Sequence, residues 1–232
     1  MSAPLDRLSD YRTDLYLVTD TAMAESAGRT VAETVAQAVA GGVGIVQVRD
    51  KHIDDAGFEK LTLSVLDAVE RARAEHGIKT DVPVFVNDRV DVAARLLERG
   101  RKVHVHVGQG DMSADDVRQR IGAEPLLGVS AQEPEHFERA RSQEVDLLGI
   151  GPVYATQTKE TGRSAIGPEG FRDRAGKAGL PAFAIGGIKD HNAAALRGTG
   201  AAGICVVSAI MTATNPAGAA RDILAAYTGE SL

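Results

Sequence analysis

The segment IVQVRDK spaces Gln47, Arg49 and Lys51 two residues apart, so on an extended chain they share one face while Val46 and Val48 take the other. The valine face suits packing beneath helices. An amide and two cations on the opposite face are costly to enclose unless something negative pairs with them. Strand-end carboxylates could form that pair internally, but an anion-binding site accounts better for three such groups in a row. Two further segments add oxygen donors: VFVNDR carries Asn87 and Asp88, and VHVGQGD carries Gln109 and Asp111 behind a glycine that lets backbone come close. Carboxylates beside cations at neighbouring strand ends fit a Mg²⁺–diphosphate corner, because Mg²⁺ takes one or two protein carboxylates and completes its octahedron with water and phosphate oxygens. The competing reading is helix capping, by Asp88 ahead of Val90 and by Asp111 or Ser113 ahead of the next helix.

A second anion site is expected further along. AIGGIKD and CVVSAI place Gly186, Gly187 and Ser208 after late strands, where glycines permit close backbone approach and Ser208 could cap the following helix. Between them runs GIGPVYATQTKETGRSAIGPEG, the longest irregular stretch in the chain. Its Thr156, Thr158 and Lys159 suit hydroxyl and charge contacts to a phosphorylated ligand, as on a flap that orders when ligand binds. His104 and His106 share a strand face, but no third nitrogen or sulfur ligand lies near them in sequence. They read as hydrogen-bonded residues of a strand wall rather than as zinc ligands. His52, His76, His136 and His191 read as surface residues. No serine–histidine–acid order or Cys–His pair marks a nucleophile. Two anion corners without a nucleophile suit transfer of a group from diphosphate onto a second, phosphorylated substrate.

The elements that must hold these residues recur along the chain. Short apolar runs at Leu15–Thr19, Ile45–Val48, Val84–Val86, Val103–Val107, Leu126–Val129, Leu147–Ile150, Ala182–Ile185 and Ile204–Val207 alternate with helical patterns near 29–40, 54–76, 90–99, 113–121, 133–142, 168–178, 190–198 and 215–227. Continuous apolar strands are those covered on both faces, and eight alternations predict an α/β fold, a single-domain (β/α)8 TIM barrel. An open doubly wound sheet is the alternative. No linker divides residues 1–232; the barrel proper spans about 14–228 after a short extension, 1–13. Barrel sites lie at the carboxyl ends of the strands, and the loops after strands seven and eight are a recurrent phosphate site.

Composition narrows the classes. A net charge of −6, no tryptophan and 4% aromatics argue against a nucleic-acid surface. No apolar run is long enough for a membrane span, and the polar N-terminus lacks signal-peptide blocks. One cysteine, Cys205, fits a reducing compartment, so a cytoplasmic protein acting on small molecules is expected. A homo-oligomer is compatible with this reading.

The strings LYLVTD, VQVRDK, VNDR, VHVGQGD, LGVSA, GIGPVYATQTK, AIGGI and VVSAI, in this order, resemble the thiamine-phosphate synthase family over nearly the whole chain. The resemblance implies condensation of a hydroxymethylpyrimidine diphosphate with a thiazole phosphate, or its carboxylated form, on a TIM barrel with Mg²⁺ and release of diphosphate by a dissociative path. It further implies that Gln47, Arg49, Lys51 and Asn87 hold the pyrimidine diphosphate and that Asp88 and Asp111 bind the metal. Ser130 would lie beside the pyrimidine, and Lys159 would close over the diphosphate. Thr156, Gln157 and Thr158 would line the thiazole phosphate site, with Gly187, Val207 and Ser208 beneath the phosphate. Arg49, Lys51, Ser130 and Lys159 would be the catalytic set. The chain departs from the family where GQGD replaces the usual GQED, so that Gly110 stands in place of an acid. Arg101, Lys102, Val103 and His104 also replace the usual lead into strand four.

Three other functions compete. A thiazole tautomerase relative would lack the intact diphosphate corner. A Schiff-base aldolase would need Lys51 or Lys159 as an amine of depressed pKa. A thiamine-precursor sensor would bind both ligands without turnover.

Overall fold

Eight four-residue strands build the centre of the molecule: β1 Leu15–Val18, β2 Ile45–Val48, β3 Val84–Asn87, β4 His104–Val107, β5 Leu127–Ser130, β6 Leu147–Ile150, β7 Ala182–Ile185 and β8 Gly203–Val206. In the computed structural model, which describes residues 7–156 and 164–230, each strand pairs in parallel with the next, and β8 pairs with β1 to close the barrel. Leu17 stands opposite Val206 at the closure.

Continuous apolar runs form these strands because both faces are buried. Outward residues such as Val46, Val48, Val86, Val105, Leu148 and Ile204 pack beneath helices. Inward residues Tyr16, Ile45, Phe85, Leu147, Phe183 and Cys205 fill the lower barrel. The Tyr16 ring lies 5.7 Å from both Phe85 and Phe183, edge-on to the latter. Among the described residues the interior is therefore a packed core below and open above.

The helices are α1 Thr21–Ser26, α2 Val31–Ala40, α3 Asp55–Glu75, α4 Val90–Glu98, α5 Ala114–Ile121, α6 Pro134–Ser142, α7 Gly167–Ala178, α8 Asp190–Ala193, α9 Ser208–Met211 and α10 Pro216–Thr228. A 3₁₀ turn, Ala194–Leu196, follows α8, so the expected helix over 190–198 is shorter and broken. The starts of several helices are legible in their caps. Thr30 and Glu33 form a reciprocal capping box at α2, and Asp54, Ser113 and Asn215 accept from the backbone N–H three residues on. The short helices α1 and α9 carry too little periodicity to be read from sequence. Among the described residues no helix is long and apolar enough to cross a membrane.

The N-terminal extension closes the barrel floor. Leu8 packs into the inner core, and Arg7 Nη1 reaches Asp146 Oδ1 at 2.7 Å. Asp146, 3% exposed, also takes Arg118 Nη2 and the Leu127 N–H, each at 2.7 Å. Beside it, His104 Nδ1 accepts from the Leu126 N–H at 2.9 Å and its ring meets Tyr11 edge-on. Burial, with the Arg7 and Lys102 charges adding to it, pushes His104 down to about 4.

Candidate active site

One cavity of about 190 Å³ opens at the carboxyl ends of the strands, far larger than the roughly 10–15 Å³ that a single water needs. Gln47, Arg49, Lys51, Asn87, Asp88, Asp111, Ser130, Thr156, Gly187, Val207 and Ser208 all line it. Gln157, Thr158 and Lys159 lie outside the described residues.

At β2 the period-two pattern holds only in part, because the strand ends at Val48. Gln47 is inside the barrel and buried, its Nε2 donating to the Tyr16 hydroxyl at 2.8 Å. Burial raises the Tyr16 phenol well above its usual value, so it stays protonated. Arg49 sits one residue past the strand, its N–H held by the buried Thr19 Oγ1 at 3.0 Å and its guanidinium 4.0 Å from Asp20. The turn that carries Lys51 is pinned by Asp50, whose Oδ1 accepts from the His52 and Ile53 N–H groups. Burial works against the Asp50 carboxylate, but the His52 and Ile53 N–H groups, with the nearby Thr21 hydroxyl, outweigh it and hold its pKa below the usual range.

Lys51 donates to Asp88 across the gap between the β2 and β3 loops. Asp88 therefore does not cap α4: the cap position is Arg89, without a side-chain bond. The Asp88 backbone is left-handed at φ 59°, a conformation that Asp and Asn tolerate better than other non-glycine residues, and Asn87 Nδ2 donates to its Oδ1 at 3.1 Å. Asp111 does not cap α5 either, since Ser113 does; its Oδ2 instead accepts from the Gly108 N–H at 3.0 Å. Ser208 is the first residue of α9 rather than its cap, which is Val207.

Asp88 and Asp111 are hard oxygen donors on one cavity wall, and among the described residues no cluster of three His, Cys, Asp or Glu side chains forms. That donor set suits Mg²⁺, with its remaining positions left to water and phosphate, and not a closed zinc site.

On the opposite side, Val153 and Tyr154 N–H groups bond to the Ile185 and Gly186 carbonyls at 2.9 Å. A β-carbon on Gly187, at φ 65°, would stand 2.6 Å from the Ala155 carbonyl oxygen. The glycine pair thus admits the loop after β6 and carries Thr156 to the cavity.

Some lining residues were not singled out from sequence as site residues. Tyr16 lies within the apolar run Leu15–Thr19, and His106 reads as a barrel-wall histidine. His106 does hydrogen-bond, with Nε2 3.1 Å from Ser130 Oγ, but it also faces the cavity. His136 is half-buried rather than on the surface, its Nδ1 accepting from the Gln132 and Glu133 N–H groups.

Fold and cavity together define a (β/α)8-barrel enzyme with its site at the strand ends. A family model described as thiamine monophosphate synthase matches residues 15–210. A thiamine-phosphate synthase of Vibrio campbellii is 39% identical over 212 residues, covering 90% of this chain and 96% of its own. One from Methanobrevibacter smithii is 35% identical, covering 94% and 96%. A solved thiamine phosphate pyrophosphorylase of Pyrococcus furiosus superposes with a TM-score of 0.78 at 27% identity, covering 94% and 96%. The chain belongs to the thiamine-phosphate synthase family and is, with it, a transferase of thiamine biosynthesis.

Proposed function

We propose that the protein joins a pyrimidinylmethyl diphosphate to a thiazole phosphate, or to its carboxylated form, and releases diphosphate. The observation that carries this reading is the convergence on one cavity of the Gln47–Arg49–Lys51 cations and amide, the Asp88 and Asp111 carboxylates and the Gly187–Ser208 side.

The diphosphate would rest against Arg49, Lys51 and Asn87, with Gln47 and Ser130 at the pyrimidine. Asp88 and Asp111 would hold Mg²⁺, which supplies charge neutralisation at the leaving diphosphate when bound. The pairing of Lys51 with Asp88 keeps the ammonium at the corner where negative charge develops. As the carbon–oxygen bond to diphosphate breaks, both electrons leave with the diphosphate and the pyrimidine methylene becomes a resonance-stabilised cation. The thiazole nitrogen then supplies the pair for the new carbon–nitrogen bond. Such a step asks for fixed cations at the leaving group and alignment of the second substrate, and needs no nucleophile from the chain. Thr156, Gly187, Val207 and Ser208 would hold the thiazole phosphate, with Gln157 and Thr158 beside it and Lys159 closing over the diphosphate.

The test is a coupling assay with both phosphorylated substrates, with and without Mg²⁺, reading thiamine phosphate as thiochrome fluorescence. Mg²⁺-dependent product is expected. Binding of both ligands without product would favour a sensor, and failure to bind the diphosphate would favour the tautomerase relative.

A further inference from the structure

The VHVGQ stretch of β4 and its loop holds Ser130 at two points. His106 Nε2 lies 3.1 Å from the Ser130 hydroxyl oxygen, and Gln109 Nε2 donates to the Ser130 carbonyl at 2.7 Å. We infer that His106 and Gln109 are positioning residues, which fix the Ser130 hydroxyl and backbone so that the hydroxyl presents one defined face to the ligand.

The barrel wall makes room for this arrangement. His106 pairs in register with Gly128 on β5, and Ser130 with Gly149 on β6. A β-carbon on Gly128 would stand 2.4 Å from His106 Nδ1 and 2.9 Å from Leu147 Cδ1, contacts no real side chain makes. One on Gly149 would stand 3.5 Å from His106 Cε1, which is ordinary packing. The imidazole therefore lies over a bare strand at Gly128, and there alone does the absent side chain dictate where the ring sits.

The chemistry follows from the hydroxyl. A serine has one donor and two acceptor positions, and its hydrogen rotates freely unless a neighbour commits it. If His106 Nε2 carries the proton, the ring donates to Ser130 and the serine O–H is released toward the cavity. If Nδ1 carries it, the serine donates to the ring and presents lone pairs. Either tautomer commits one of the three hydroxyl positions to the ring, so the ligand meets a narrowed face whose direction is set before binding. Meanwhile Gln109 keeps the β5 end from shifting the serine along the wall.

This inference rests on the proposed pyrimidine role of Ser130, and its test separates the two. The variants are His106→Phe, which keeps a ring over Gly128 but cannot hydrogen-bond, Ser130→Ala, and the double variant. Each is read as KM, kcat and calorimetric Kd for the pyrimidine diphosphate, with thermal melting as a check on folding. Each single variant should weaken binding roughly 10-fold, the effect of one lost hydrogen bond, and the double variant should be no worse than Ser130→Ala. Additive losses would overturn the inference, because His106 would then act without Ser130. Gly128→Ala should reproduce the His106→Phe defect while Gly149→Ala stays near wild type; equal defects would also overturn it. Gln109→Met should raise KM with kcat nearly unchanged, and wild-type kinetics would remove Gln109 from the arrangement. Binding without turnover by the wild-type protein would overturn the function but leave the Kd cycle to judge the positioning. No binding would overturn both.

Discussion

Lys51 and Asp88 meet across two neighbouring loops, so a cation carried by β2 and a carboxylate carried by β3 occupy the same corner of the barrel mouth. The pair is partly open to solvent, with Lys51 46% and Asp88 16% exposed. Exposed pairs of this kind contribute little to stability, typically up to about 1 kcal/mol, so the pairing matters for what it places rather than for how much it stabilises.

Asp88→Asn should therefore cost activity far more than folding. Asparagine accepts the left-handed backbone at φ 59°, which removes strain as a confounding cause. Loss of the charge at the proposed diphosphate corner should lower turnover on the order of 100-fold, while the melting temperature moves little. Turnover with wild-type Mg²⁺ dependence would take Asp88 out of the site.

Tyr16→Phe should act in the opposite sense, on stability first. It leaves the buried Gln47 amide nitrogen without its acceptor, at a cost of about 1–3 kcal/mol by chemical denaturation. The freed amide can also rotate, so KM for the pyrimidine substrate should rise. An unchanged denaturation midpoint would mean that Gln47 finds another partner.

Asp146→Ala should be the most damaging single change at the floor. It removes the carboxylate that Arg118, Arg7 and the Leu127 N–H share, leaving the guanidiniums only backbone carbonyls, and breaking a buried pair of this kind costs about 3–5 kcal/mol. Arg7→Ala, which removes only a quarter-exposed partner, should cost about 1 kcal/mol. Equal losses in urea titrations would show that the arginine, not the carboxylate, organises the floor.

Stability should fall with acid through His104. The group is held neutral down to about pH 4 in the fold but titrates near 6.5 when unfolded. The unfolded chain therefore binds the extra proton between those values, so stability is full above pH 6.5 and declines as pH drops toward 4. At ~1.4 kcal/mol per pH unit the upper bound is about 3.5 kcal/mol. His104→Asn, which keeps an acceptor for the Leu126 N–H, should flatten melting temperature over that window; an unchanged slope would assign the effect elsewhere.

Much of this architecture is legible in the amino-acid order because double-sided burial leaves a plain signature. Runs such as IVQV and AFAI mark β2 and β7 to the residue. The convergence of Gln47, Asn87, Asp111 and Ser130 follows from strand ends alone once eight strands close in order. What escaped notice depends on three dimensions. That Asp88 turns from capping a helix to meeting Lys51 needs its left-handed backbone, and nothing in VNDR announces that. Tyr16 and His106 carry no signal of their own, because polar tips pointing inward are indistinguishable in sequence from filled core. Arg7 and Asp146, far apart in the chain, gave no local sign of meeting.

The plugged floor makes the barrel, in its described residues, a vessel that opens at its mouth. Among the described residues, Leu8 and the aromatic layer beneath Gln47 fill the space below, so the cavity is reached from the mouth. A group that reaches down to Gln47 therefore passes the same rim that Gly187 and Ser208 line.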